Sequence, residues 1–293
     1  MTGGAVKVLV TGASGFLGAS VVVDLLAAGH DVTGLARSAP SANVIAALGA
    51  DVIDGDLDDP AGLDAALRRS GADALVNLAS LGFGHAPAIV AAAEDAGIAR
   101  ALFVSTTAIF TSLPAASRTV RVAAEETVHA STLNWTIVRP TMIYGRPGDR
   151  NLSRLLTLLR RCPVIPLPGG GRRLIQPVHV DDLSSFIVTA VDSDETVRHD
   201  YDVAGPEPLT LRDVVKTAGR AVQRRPVVLP VPLAPAVAAV SAYERLAPRP
   251  RIRREQVLRL NEDKAFDISA ALSLGYAPRS FADGITQEAS LLR

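Results

Sequence analysis

Lysine is nearly missing from this 293-residue chain, which has only Lys7, Lys216 and Lys264. The other 27 of its 30 basic residues are arginine, and 30 acidic residues bring the formal charge to zero. That balance removes the general attraction that nucleic acid or an anionic membrane surface needs and leaves room only for a local patch, so nucleic acid is not an expected partner. The cluster Arg249, Arg251, Arg253 and Arg254 is the one local exception, and a solvated helix face accounts for it. Cysteine occurs once, as Cys162, which excludes an intrachain disulfide and any multi-cysteine metal cluster. It reads as a small buried hydrophobe. His129, His179 and His199 are too scattered for a local metal motif, so no metal is expected. Aromatics make up 4% of the residues, so the core has to come from the Ala, Val, Leu and Ile in a 48% hydrophobic chain.

Long apolar runs are also lacking. The longest candidate, Val227 to Val240, carries three prolines and falls short of the roughly 20 residues that span a bilayer. It reads as a helix packing a second lobe, with surface membrane association as the alternative. The N-terminus shows no basic stretch followed by an apolar core and a cleavage site, so a cytoplasmic location is the expectation.

What is present is an alternation of two periods. Strand-like runs fall at Val6–Val10, Asp31–Ala36, Asp51–Ile53, Ala74–Leu78, Ala101–Ser105 and Thr136–Arg139. Helical spacing separates them at Phe16–Ala28 and at about 41–48, 60–69, 86–96 and 118–130. This order predicts an α/β fold, a doubly wound parallel sheet with helices on both faces. After Pro140 the spacing predicts a helix at about 151–160, an extended loop from Cys162 to Gly171, and a helix capped by Asp181 or Asp182 running to Val191. A last strand at about 200–205 returns to the sheet. The expected domains are 1–165, with that strand, and a smaller lobe over 166–293.

The segment Val8-Leu-Val-Thr-Gly-Ala-Ser-Gly-Phe-Leu-Gly18 sets Gly12, Gly15 and Gly18 between the first strand and the first helix. Glycines are needed where a turn is tight, a pyrophosphate approaches the backbone, and a helix packs close to a strand. The end of the second strand reads Thr33-Gly-Leu-Ala-Arg37-Ser38. A guanidinium there suits a ribose 2′-phosphate, whereas an acid would repel it. NADP(H) is therefore the expected cofactor, with NAD left open, and a solvated loop arginine is the bland alternative.

These residues resemble the extended and atypical short-chain dehydrogenase/reductase superfamily, particularly its NAD(P)-dependent epimerase/dehydratase branch. Gly55-Asp56-Leu57, Val76-Asn77-Leu78-Ala79-Ser80, Val104-Ser-Thr-Thr107, Trp135 to Gly145, Gln176 to Asp182 and Gly275-Tyr-Ala-Pro carry the likeness along nearly the whole chain. The resemblance implies a Rossmann domain with a C-terminal substrate lobe. It places Gly12, Ser14, Gly15, Phe16, Leu17, Gly18 and Arg37 around the cofactor phosphates and ribose. Asp56 and Leu57 would then lie by the adenine, and Ala79 and Ser80 on the nicotinamide side.

One family feature is missing. Members that oxidise or reduce an alcohol carbon use Tyr-x-x-x-Lys, in which the lysine lowers the tyrosine pKa for proton transfer. Here the corresponding helix puts Ser117 and Arg121 at those positions, and none of Tyr144, Tyr201, Tyr243 and Tyr276 has a lysine four residues on. Substitute acid/base candidates are Tyr144 and His85. Tyr144 either acts or packs, and His85 either acts or starts a helix. Ser105 and Thr106 end the fifth strand, where hydroxyls can hold a substrate oxygen. Arg121 can bind a ribose or a phosphate. The expected function is an NADP(H)-dependent oxidoreductase or epimerase acting on a hydroxyl or carbonyl carbon, of a nucleotide sugar or another small metabolite. A noncatalytic NAD(P)-binding sensor or assembly protein is the alternative, and a homodimer is left open.

Overall fold

Runs such as Val8-Leu-Val-Thr11 and Ala101-Leu-Phe-Val104 carry almost no polar side chains, which suits strands covered on both faces. In the computed structural model, which describes residues 5–113, 116–149, 151–247 and 254–292, these runs are central strands of a seven-stranded sheet. Arg249, Arg251 and Arg253 lie outside the described residues.

The first half of the chain alternates β1 (Lys7–Thr11), α1 (Phe16–Ala27), β2 (Asp31–Ala36), α2 (Ala39–Ala47), β3 (Asp51–Asp54) and α3 (Pro60–Ser70). It continues through β4 (Ala74–Asn77), α4 (Ala86–Asp95), β5 (Arg100–Val104), α5 (Ala116–Ala130) and β6 (Asn134–Pro140). Next come β7 (Ile143–Tyr144), α6 (Leu152–Arg161), β8 (Val164–Pro168), β9 (Leu174–Ile175), β10 (Val178–His179) and α7 (Val180–Asp192). The rest is β11 (His199–Val203), β12 (Leu209–Thr210), α8 (Leu211–Ala221), β13 (Val227–Val231), α9 (Leu233–Leu246), α10 (Arg254–Arg259), α11 (Ser269–Ser273) and α12 (Phe281–Leu291).

The main sheet has the order β11-β6-β5-β4-β1-β2-β3, and every pairing in it is parallel. This is the doubly wound α/β architecture that the alternation predicts. Winding reverses between β1 and β4, so the connections leaving their carboxyl ends diverge and open a crevice there. Contacts group Met1–Pro140, Val180–Val203 and Ile268–Tyr276 into one compact unit, and the remaining residues into a second.

In the first unit, α3, α4 and α5 close over Leu9, Leu75, Phe103 and Ile137 on one face of the sheet. Buried Arg100 donates to the backbone carbonyls of Asn134, Ala190 and Val191 and to the Thr196 hydroxyl. Burial lowers its pKa to about 10, which still leaves it charged at neutral pH. Arg139 on β6 reaches both carboxylate oxygens of Glu125 on α5, at 3.1 and 3.0 Å through Nε, and Asp200 on β11 at 2.6 Å. Burial alone would lower the Arg139 pKa, but the bonds and charges of Glu125 and Asp200 hold it raised.

The second unit corrects two expectations. Cys162–Gly171 is not simply an extended loop, because Val164–Pro168 forms β8 and pairs in parallel with β13. The apolar stretch from Val227 is likewise not one packing helix. Its first residues are strand β13, and the helix that follows, α9, contributes no buried residue. The pairing joins segments about 60 residues apart in sequence, and Pro163, Pro166, Pro168, Pro226 and Pro230 hide it from any local pattern. The apolar cluster of this unit is built from Tyr144, Leu156, Ile165, Val214, Phe281 and Ile285.

Beside that cluster lies a fully buried carboxyl, Glu288. It accepts the Gly145 N–H at 3.0 Å and lies 2.6 Å from Ser153 Oγ. The same hydroxyl lies 2.9 Å from Asp149, whose oxygens accept the N–H groups of Asn151, Leu152 and Ser153 at the start of α6. A single hydroxyl hydrogen cannot serve two carboxylates at once, so the geometry calls for a proton on one of them. Burial, reinforced by Asp149, pushes Glu288 up to about 8. The folded state therefore holds a proton that the unfolded chain releases near 4.5, so this contribution is complete below about 4.5 and is lost as pH climbs to about 8. Glu288→Gln keeps the shape without the titration. Thermal melts across that pH range should show a falling midpoint for the wild type and a flatter profile for the variant.

Candidate functional site

Three glycines decide the turn between β1 and α1. Gly12 has φ +70°, and a Cβ there would lie 3.0 Å from the Ala79 backbone nitrogen. The constraint at Gly18 is harder, because a Cβ would lie 2.1 Å from the Gly12 carbonyl oxygen and 2.7 Å from that of Ala13. Gly15 caps α1, and its N–H donates back to the Gly12 carbonyl at 2.9 Å. A glycine cap has no side chain to cover the first-turn N–H groups. Those donors and the positive end of the helix dipole are therefore available to an anion.

The Thr11 hydroxyl ties β1 to β4 by donating to Asn77 Oδ1 at 2.6 Å, and Asn77 Nδ2 donates to the Ala79 carbonyl. The outcome is a groove of about 370 Å³ at the carboxyl ends of the strands. Its walls bring together Gly12, Ser14 and Gly15 with Arg37, Asp56, Leu57, Ala79, Ser80 and His85. Phe16, Leu17 and Gly18 belong to α1, where Gly18 sets how closely the helix lies against the turn.

Sequence reasoning missed Ser41, which shares this wall with Arg37. Ser38 caps α2 and its hydroxyl lies 3.1 Å from that of Ser41, so two hydroxyls follow the guanidinium at the end of β2. A Ser-x-x-Ser spacing at a helix start was the available signal.

The remaining candidates are placed as follows. His85 caps α4, and its Nε2 donates to Asp58 Oδ1 at 2.9 Å, so the ring is held by the segment after β3. Ser105 donates its N–H to the Val138 carbonyl at 2.8 Å, while its buried hydroxyl has no hydrogen-bond partner among the described residues. Thr106 Oγ1 accepts the Ala108 N–H. Ser117 is half-buried near the start of α5. Arg121 lies against the turn after β4, where a Cβ on Gly82 would come within 3.1 Å of its Nε. Tyr144 is 1% exposed in the apolar cluster of the second unit, with its ring edge-on to His179 at 5.3 Å. A Cβ on Gly284 would lie 2.3 Å from its hydroxyl oxygen, so α12 closes over the ring.

Residues 12–157 match the model of a family described as NAD(P)H-binding. That match and the parallel sheet make this an NAD(P)H-binding domain of Rossmann type. It is 33% identical over 192 residues to a ceramide reductase of Caulobacter vibrioides, covering 62% of this chain and 59% of that protein. It is 28% identical over 295 residues to a 2-alkyl-3-oxoalkanoate reductase of Stenotrophomonas maltophilia, covering 86% of each. The fold matches UDP-glucose 4-epimerase of Thermus thermophilus, crystallised with NAD, with a TM-score of 0.74 at 21% identity over 98% of this chain and 99% of that one. Some relatives are far longer, and the chain spans only 23% of the mycobacterial proteins that it matches at 29% identity.

Side chains are absent from the groove's glycine turn at the points where backbone meets backbone, which leaves its N–H groups open to a phosphate. Gly18→Ala should force the turn apart. NADPH affinity is expected to fall at least about tenfold, roughly 1.4 kcal/mol. Calorimetry on the variant checks this, with a melting curve to show that it remains folded.

Proposed function

We propose that this chain is an NADP(H)-dependent oxidoreductase acting at a hydroxyl or carbonyl carbon of a small metabolite. The observation that carries the cofactor choice is Arg37, which shares the groove wall with Ser41. A planar guanidinium beside hydroxyl donors suits a ribose 2′-phosphate, and no carboxylate occupies the end of β2.

A bound nicotinamide would give or accept a hydride. The protein groups near the end of β5 differ in what they can do with the accompanying proton. Ser105 offers a buried hydroxyl, and Thr106 keeps a hydroxyl hydrogen while its oxygen accepts the Ala108 N–H. Both can hold an oxygen, but an aliphatic hydroxyl has too high a pKa to act as a base unaided. Arg121 is permanently charged and stabilises negative charge without taking a proton. Such groups stabilise the alkoxide that hydride addition to a carbonyl carbon forms, with its proton coming from water. Oxidation passes through the same charge, so these groups alone set no direction, and reduction is the direction proposed. The two relatives named as reductases support the same direction. Ketones bearing alkyl chains and nucleotide sugars are the substrates to test first.

A second reading, a noncatalytic NAD(P)-binding protein, rests on Ser117 and Arg121 standing where a tyrosine and a lysine do the chemistry in related enzymes. NADPH consumption with a carbonyl panel separates the two. Turnover lost on Ser105→Ala with binding intact supports the reductase, and tight NADPH binding with no turnover on any member of the panel sinks it. Arg37→Glu should weaken NADPH about 10- to 100-fold, as expected for losing hydrogen bonds to a charged group, and leave NADH nearly unchanged. Equal losses for both cofactors would overturn the NADP(H) assignment.

A further inference from the structure

The zero net charge conceals a segregation. Among the described residues, the first unit holds 9 basic and 20 acidic residues, a formal −11, whereas the second holds 16 basic and 10 acidic, a formal +6. A neutral total disfavours anionic partners only where the two signs balance locally, and in the second unit the basic residues are in excess.

Within that unit, the β8–β13 ribbon is apolar on both sides. Ile165 and Leu167 are buried on its inner side. On its outer side Val164 pairs with Val227, and Pro166 with Leu229. Those positions ordinarily carry polar residues, yet Val227 is 61% and Leu229 51% exposed. Because the strands are parallel, their starting ends coincide. Arg161 leads into β8, and Arg224 and Arg225 lead into β13. All three are exposed, and none has an ion-pair partner among the described residues. The next element, α9, adds Tyr243 and the 83%-exposed Leu246. No helix among the described residues is long and apolar enough to cross a membrane.

We propose that the β8–β13 ribbon docks the protein on an anionic lipid bilayer surface. Arginines at one end pair with lipid phosphates while the outward valine and leucine side chains enter the headgroup boundary. Charge complementarity selects the anionic surface. The exposed apolar pairs favour lipid over nucleic acid, since the ribbon offers no aromatic ring on which a base can stack.

The test is co-sedimentation of the full chain with vesicles of phosphatidylcholine alone or mixed with phosphatidylglycerol, at low salt and at about 1 M salt, where the Debye length is about 3 Å. Binding is expected only to the mixed vesicles, and it should fall with salt. The double variant Arg224→Glu/Arg225→Glu should bind at least tenfold more weakly, since each basic residue near the surface contributes about fivefold. Val227→Ser/Leu229→Ser should weaken binding while keeping its salt dependence. Melting curves check that both variants remain folded. Equal binding to both vesicle types overturns the proposal, as does wild-type binding by folded variants. Arginine-dependent binding to duplex DNA with no vesicle binding also overturns it. So does a vesicle-free dimer, without vesicle binding, that Val227→Ser/Leu229→Ser dissociates.

Discussion

The approach of α1 to the β1 turn constrains much else in the first unit. With a Cβ at residue 18 the helix would meet the Gly12 carbonyl at 2.1 Å, so the helix reaches the sheet only because that atom is missing. The same approach aims the first-turn N–H groups of α1 at the crevice between β1 and β4. Thr11 and Asn77 then lock the two strand ends together, which fixes where Ala79 and Ser80 stand relative to the turn. A shift at Gly18 would therefore reach groups on two separate strands.

A second constraint governs α5. Arg139 binds Glu125 and Asp200 with little solvent access, and its guanidinium also sits 5.5 Å from the Phe110 ring centroid. Breaking a buried pair of this kind typically costs about 3–5 kcal/mol, because the partner's charge is stranded. The network joins the helix that carries Ser117 and Arg121 to strands β6 and β11. Arg118 adds a bond to the Ile109 carbonyl at 2.8 Å. Holding this helix in place keeps Arg121 against the turn after β4, whichever function the residue serves.

The features legible in the sequence are those whose cause is local. Alternating periods gave the strands and helices of the first unit, and the glycine spacing with Arg37 marked one groove that the folded chain does form. Other features depend on distant partners. Tyr144 follows a strand end, as a catalytic residue would, but α12 from the far C-terminus buries it. The β8–β13 pairing crosses five prolines. Ser41 needed its position beside Arg37 in space, although its Ser-x-x-Ser spacing was visible. Cys162 was expected to be buried and is half-buried at the end of α6.

Charge was the least legible property, because each unit is assembled from discontinuous segments. The groove proposed to hold the cofactor lies in the acidic unit, with Asp56 and Asp58 on its wall. A cofactor phosphate can still bind there because affinity is set at contact. A backbone N–H or guanidinium acts at about 2.8 Å, whereas a unit's diffuse charge is screened over about 8 Å at physiological salt. The acidic excess therefore bears on how an anion approaches more than on how tightly it is held. For the second unit the inequality runs the other way. Its basic residues outnumber its carboxylates, and an extended anionic surface meets many of them at once, so small screened terms add. A formal charge of zero excludes polyanions only where opposite charges are interleaved on one surface.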